Sequence, residues 1–181
     1  MEDEHLHRRL LKRFEIAGHA RFLTFSCNHR LPLLQNDCIR ELLLERLAKV
    51  LLEQAIDLLA WVIMPEHMHL VAFPDDSPDM KRFTHAVKRP FAETVIRRWK
   101  ELNAPILKQI AHDGGYRYWL PGGGSDRNLF TPEAVIEKIN YIHMNPVRRK
   151  LVATPPDYEW PSARWYAGIE GAKLPCAELP W

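Results

Sequence analysis

Residues 58–73 run Leu58-Leu59-Ala60-Trp61-Val62-Ile63-Met64-Pro65-Glu66-His67-Met68-His69-Leu70-Val71-Ala72-Phe73. Leu58 to Met64 is short, apolar and bounded by Pro65, which reads as a buried strand. His67 to Phe73 reads as the next strand. The four residues Met64-Pro65-Glu66-His67 leave room only for a tight hairpin connection between the two.

Upstream of this hairpin, Ala20 to Ser26 is rich in aromatic and β-favouring residues and reads as a first strand. Asn36 or Asp37 then caps a long helical pattern in which Ile39, Leu42, Leu43, Leu47, Val50 and Leu51 recur at helical spacing. Downstream, Pro74 to Asp79 is a loop, followed by a basic helical region in which Pro90 either kinks the helix or starts a second one. His112 to Asn128 is loop-rich, with Gly114-Gly115, Gly122-Gly123-Gly124 and the aromatics Tyr116, Tyr118 and Trp119 between them, a mobile or ligand-wrapping segment. Thr131-Pro132-Glu133 starts a helix with a capping hydroxyl, a first-turn proline and an acid at the positive end of the dipole. Pro146 places its end at Asn145. The stretch from Thr154 to Pro161, rich in proline and aromatics, reads as an extended wrap over the core.

The order is strand, helix, strand, strand, helix, then at least one more strand and a helix. That pattern predicts an α+β fold of the split β-α-β, ferredoxin-like or RRM-like kind, an antiparallel sheet with helices on one face. No internal repeat or boundary divides residues 1–181, so one domain is expected.

With 181 residues, 46% hydrophobic and 27% charged, the chain has the composition of an ordinary globular protein. Its apolar runs are too short to span a bilayer, and Met1 to His5 lacks the pattern of a secretory signal, so a cytoplasmic protein without a membrane partner is expected. Cys27, Cys38 and Cys176 are odd in number and contain no Cys-x-x-Cys pair, which speaks against a disulfide framework or a structural zinc site. The net charge is only +2, but it is unevenly spread. Lys81, Arg82, Lys88, Arg89, Arg97, Arg98 and Lys100 face the single acid Glu93, and Arg148-Arg149-Lys150 follow later. Such a patch attracts phosphate backbones, although a solvated helix face gives the same pattern.

His67 and His69 are two apart on a strand, so both imidazoles emerge on one face and can share one divalent metal ion. A third ligand must come from elsewhere. On the helix starting at Thr131, Val135, Ile136, Ile139 and Ile142 define an apolar stripe; Tyr141 points about 200° from its centre, with Asn145 and Lys138 within roughly 60° of Tyr141. His143 falls at the edge of the stripe, where packing or a local hydrogen bond is expected. A phenol, an amide and an ammonium on one helical face make a coherent set opposite two histidines. The amide oxygen of Asn145 can complete a metal shell, and the phenolate of Tyr141 can attack phosphorus in line. With an ordinary pKa near 10 only about one phenol in a thousand is ionised at neutral pH, so a nearby cation helps; Lys138 is that cation or simply an exposed helix lysine.

Met64-Pro65-Glu66-His67-Met68-His69-Leu70-Val71, followed by Tyr141-Ile142-His143-Met144-Asn145-Pro146-Val147-Arg148, resembles the single-tyrosine HUH transposases, most closely the REP-associated tyrosine transposases. The segment Phe22 to Leu34 and Asp157-Tyr158-Glu159-Trp160-Pro161-Ser162 are similar to that family too, so the resemblance covers roughly residues 18–166. It implies an HUH endonuclease core acting as a single-stranded DNA endonuclease and strand transferase on hairpin-forming repeats. His67, His69 and Asn145 match the family's metal ligands and Tyr141 its nucleophile. The implied cofactor is Mg²⁺ or Mn²⁺, with no nucleotide cofactor; imidazole ligands suit Mn²⁺ at least as well as Mg²⁺. The implied product is a 5′-phosphotyrosyl intermediate with a free 3′-hydroxyl, and a monomer is favoured over a homodimer. Lys81, Arg82, Lys88, Arg89, Arg97, Arg98, Arg127, Lys138, Arg148 and Arg149 are the candidate DNA contacts, and Tyr116, Tyr118 or Trp119 are candidates to stack on unpaired bases.

The sequence departs from the family at the long glycine-rich stretch Tyr118 to Asn128 and at Lys150, where many relatives have glycine. Two rivals stand beside this reading. A structured single-stranded DNA- or RNA-binding protein of the same fold needs no catalysis. A histidine-triad nucleotide hydrolase needs a third histidine where this chain has Val71.

Overall fold

The computed structural model describes residues 18–74, 79–122 and 124–181. Residues 1–17, positions 75–78 of the loop after Pro74, and Gly123 lie outside the described residues. Strand β1 spans Ala20–Ser26, helix α1 Asp37–Glu53, β2 Ile56–Met64, β3 His67–Pro74 and helix α2 Met80–Glu101. A short helix α3 (Leu107–Ile110) and a small hairpin of β4 (Ala111–His112) and β5 (Gly115–Tyr116) lead to β6, Asp126–Leu129. Helix α4 covers Pro132–Arg148 and the short α5 Ala163–Tyr166.

The main sheet is antiparallel throughout, in the order β2-β3-β1-β6. Strands β1 and β2, joined through α1, therefore run parallel with β3 inserted between them, which is the split β-α-β arrangement expected. Asn36 is the α1 cap, its side-chain oxygen accepting from the Ile39 amide. Leu43, Leu47, Val50 and Leu51 are buried, as the periodicity requires, and Leu44 joins them.

Helices cover both faces of the sheet, not one. On β1 the side chains of Leu23 and Phe25 point to the α2 side, where Lys88 Nζ lies 5.7 Å from the Phe25 ring centre and Phe25 meets Trp119 edge-on. Phe22 points the other way, against Tyr141 of α4. The continuous apolar run of β2 is the physical reason: from Leu58 to Met64 every side chain is buried, and a strand with no polar alternation is stable only when both its faces are covered. Within α4, Val135, Ile139 and Ile142 are buried as expected, but Ile136 is 44% exposed and lies off the packed stripe.

Neither interior proline stops its helix. Pro90 has no N–H for the Ala86 carbonyl four residues back, yet α2 runs on to Glu101. The stranded carbonyl is satisfied from outside: Arg46 Nε of α1 donates to Ala86 O at 2.8 Å. Pro146 sits in the last turn of α4, which closes at Arg148 with Arg149 N donating to Asn145 O and Leu151 N to Pro146 O. Lys150 takes the left-handed conformation there, φ +57°, which glycine adopts at lower cost.

Two chain segments seal the sheet edges. Along β2, Ile63 N donates to Trp160 O and Ser162 N to Trp61 O, so the C-terminal stretch runs beside the strand as the expected wrap. Along β1, beyond the short β6, Leu120 N donates to Ser26 O and Asn28 N to Tyr118 O. The glycine-rich segment is thus fastened to the core by its aromatics. Among the described residues no helix is long and apolar enough to cross a membrane.

Candidate active site

Side chains alternate along β3, so His67 and His69 emerge together on the α4 face of the sheet, their ring centres 4.5 Å apart. They stand opposite Ser26 and Thr24 of β1 in register. Each ring is anchored through Nδ1. His67 Nδ1 lies 3.1 Å from Glu66 Oε1; a carboxylate only accepts, so Nδ1 carries the proton and Nε2 keeps its lone pair. His69 Nδ1 lies 2.8 Å from Thr24 Oγ1, which in turn accepts from Ser125 Oγ at 2.9 Å.

Both rings are buried, and burial holds both below the ordinary histidine pKa. For His69 it does so to about 3, helped by the neighbouring His67 and by Arg30. For His67 the same burial dominates, opposed by Glu66 and assisted by Arg149 and Arg30. Both imidazoles are therefore neutral at physiological pH, the form that donates a lone pair.

Helix α4 brings Tyr141 over this pair. Its ring centre is 5.6 Å from that of His69 and 6.1 Å from that of Phe22. Two cations flank the phenol: the Arg148 guanidinium carbon is 5.2 Å and Lys138 Nζ 5.9 Å from the ring centre. Lys138 also reaches Glu137 at 2.6 Å. One turn beyond Tyr141, and therefore on the same side of α4, Asn145 is buried to 6% exposure. Among the described residues no three His, Cys, Asp or Glu side chains converge as a metal-binding group. A cation at the two histidines thus needs a ligand of another kind, such as an amide oxygen or water. His143 is not part of the set; its Nε2 is 2.9 Å from Ser162 Oγ, a local hydrogen bond as its wheel position suggests.

The candidate DNA contacts divide by the face of the sheet they occupy. Lys138 and Arg148 of α4 lie beside Tyr141, and Arg149 caps the end of that helix. Arg127 is exposed on β6 directly opposite Phe22, so it points to the same face. Lys81, Arg82, Arg89, Arg97 and Arg98 are exposed along α2, on the opposite face of the sheet. Two of these are paired on the helix surface, Arg89 with Glu93 at 2.7 Å and Arg98 with Glu101 at 3.0 Å. Lys88 is half-buried over Phe25 and Trp119, and burial lowers its pKa; it lines a cleft of about 120 Å³ with Thr84, Ser125 and Gly124.

Two of the three candidate stacking aromatics are core residues. Tyr118 is 2% exposed with its hydroxyl on Leu33 O, and Trp119 donates Nε1–H to Lys88 O from a buried position. Only Tyr116, on the β4–β5 hairpin with Lys100 Nζ 4.9 Å from its ring centre, is open to solvent. The sequence reading passed over Thr24, Glu66 and Arg30. Glu66 carried a signal, since it directly precedes His67; Thr24 and Arg30 reach the histidines only through the folded sheet.

Known proteins with this architecture bear on the chemistry. The family described as "Transposase IS200 like" matches residues 18–128, more than half of the chain. A REP-associated tyrosine transposase of Escherichia coli strain K12 is 25% identical over 167 residues, covering 91% of this chain and 87% of that protein. The solved structure of a REP-associated tyrosine transposase bound to a REP hairpin superposes with a TM-score of 0.67 at 20% identity, over 94% of this chain and 93% of the other, and so shares the fold. With residues 18–128 matched, including the strand that carries both histidines, the chain belongs to the IS200-like transposase family.

Proposed function

We propose that this transposase is a divalent-metal-dependent endonuclease and strand transferase for single-stranded, hairpin-forming DNA, with Tyr141 as its nucleophile. The observation that carries the reading is the seating of Tyr141, between Arg148 and Lys138, against His69 of its own chain. In the proposed reaction the Tyr141 oxygen attacks a backbone phosphorus, the bond to the 3′ oxygen breaks, the phenolic proton leaves to solvent and the departing 3′ oxygen takes a proton. The 5′ side of the break stays on the tyrosine, and joining runs the same exchange in reverse with a new 3′-hydroxyl. No nucleotide hydrolysis is needed, because the phosphotyrosine bond conserves the energy of the bond it replaces.

The residues fit a metal ion. Both imidazoles are neutral, both are fixed through Nδ1, and Asn145 stands on the same helix face as Tyr141. His67, His69 and the Asn145 amide would hold Mg²⁺ or Mn²⁺, and a donor set with two nitrogens favours Mn²⁺. Such an ion supplies Lewis-acid polarisation of the scissile phosphate. Arg148, Lys138 and Arg127 supply positive charge around the attacking oxygen and the incoming strand. The relative solved with a REP hairpin supports a folded single strand as substrate. The seating of Tyr141 against His69 of its own chain supports a monomer as the working form.

The test is incubation with hairpin-bearing single-stranded oligonucleotides taken from the DNA around the gene, with Mn²⁺ or Mg²⁺. A covalent protein–DNA adduct that Tyr141→Phe abolishes, with hairpin binding retained, is the expected result. Hairpin binding without cleavage under any divalent metal would favour a binding protein of the same fold.

A further inference from the structure

We infer that Glu66 and Arg149 act as a positioning pair that locks the helix carrying Tyr141 to the ring of His67, an inference that rests on reading His67 as a metal ligand. The same carboxylate oxygen, Glu66 Oε1, accepts from His67 Nδ1 at 3.1 Å and from Arg149 Nη1 at 2.8 Å. The Glu66 side chain is only 9% exposed; that of Arg149 is 53% exposed, so the pair is screened on the arginine side and closed off on the carboxylate side. A carboxylate with little water around it needs hydrogen-bonding partners, and Arg149 and His67 are the two donors in contact with it.

Both ends of the link are fixed to the backbone. Glu66 sits in the turn joining β2 and β3, which is held from outside: Cys27 N donates to Glu66 O at 2.9 Å and Leu34 N to Pro65 O at 2.8 Å. Arg149 closes α4, its amide donating to Asn145 O at 3.0 Å. Displacing the end of α4 therefore pulls on the carboxylate that orients the His67 ring and directs its Nε2. By this route Arg149 acts through Glu66, and the position of Tyr141 and Asn145 is coupled to that of His67. A guanidinium at the end of the helix that carries Tyr141 would ordinarily be counted as a phosphate contact. Here its Nη1 is engaged by protein.

The experiment measures Mn²⁺ affinity of the full-length, metal-free protein by titration calorimetry or by the paramagnetic resonance of free Mn²⁺. Hairpin-oligonucleotide affinity and the kcat against KM of adduct formation are read in parallel. Loss of a carboxylate behind a metal-bound histidine weakens metal binding by about 10- to 100-fold, which is expected for Glu66→Ala. Arg149→Ala should weaken Mn²⁺ binding by about tenfold and lower kcat, leaving KM for DNA within about twofold, and Arg149→Lys should restore most of the loss. The double variant should bind Mn²⁺ no worse than Glu66→Ala alone, since the arginine then has nothing to act through. If Glu66→Ala does not fold, Glu66→Gln, which keeps the shape and the acceptor, replaces it with a smaller loss in the same direction. Folded Glu66 and Arg149 variants that bind Mn²⁺ as wild type does overturn the inference, as does an Arg149→Ala protein that loses only DNA affinity. A wild-type protein that takes up no Mn²⁺ overturns the metal reading itself, and this inference with it.

Discussion

Acidifying the metal-free protein should destabilise it, and the two most strongly perturbed histidines contribute a share that can be worked out. Burial holds His69 to about 3 and His143 to about 4 in the folded chain, against 6.5 for an unperturbed imidazole. The unfolded chain therefore takes up these protons first. Stability is complete above the unfolded pKa and is lost as the pH falls through it. At about pH 5 the unfolded state is favoured by roughly 1.5 logarithmic units per buried histidine, about 2 kcal/mol each and about 4 kcal/mol together. That is a large share of the about 5–15 kcal/mol that holds a typical domain together. The assay is urea unfolding followed by tryptophan fluorescence, with a chelator present, at about pH 7.5 and about pH 5. His69→Gln and His143→Gln should each recover about 2 kcal/mol of the acid loss relative to wild type, because each removes one titrating group while all carboxylates are unchanged. If either variant loses as much on acidification as wild type does, that ring is not held neutral by burial and the argument for its environment is wrong.

Three further outcomes follow from local geometry. Arg46→Ala should cost about 1.5 kcal/mol in urea unfolding because it strips the Ala86 carbonyl of its charged donor, and the cost should shrink in a Pro90→Ala background, where the backbone supplies an N–H instead. Lys150→Gly should stabilise by about 0.5–1 kcal/mol, the left-handed strain relieved less the entropy that glycine adds to the unfolded chain, read as a raised urea midpoint. Gly124→Ala would place a Cβ 2.9 Å from the Thr24 carbonyl oxygen, so a loss of about 1–3 kcal/mol is expected, together with a broadened His69 resonance, since Thr24 also holds that ring.

The parts of this fold legible in the sequence are those fixed by short-range pattern. The strand period of two put His67 and His69 on one face, and the Asn36 and Thr131 caps set two helix starts. The helical wheel turned Tyr141, Asn145 and Lys138 away from the apolar stripe, and Tyr141 does sit at the sheet histidines instead of in the core of its own helix. Where the reading failed, a distant group had changed the local rule. Pro90 ends no helix because Arg46 supplies what its ring removes. Tyr118 and Trp119, flanked by glycines and read as loop residues, are buried because their segment pairs with the edge of β1. The second helical layer was announced by the unbroken apolar run of β2, a signal that the antiparallel hairpin reading masked. The contacts of Glu66 with Arg149 and of Thr24 with His69 join residues far apart in the chain, and no local pattern encodes them.

The most direct test of the central claim is to map the covalent adduct by mass spectrometry after cleavage of a hairpin oligonucleotide, followed by nuclease trimming and proteolysis. The account predicts a phosphonucleotide on the peptide containing Tyr141, attached through the 5′ phosphate of the downstream fragment, with a free 3′-hydroxyl on the upstream one. Attachment to Tyr116 or Tyr166, the two tyrosines more than a third exposed, or a linkage through a 3′ phosphate, would contradict it.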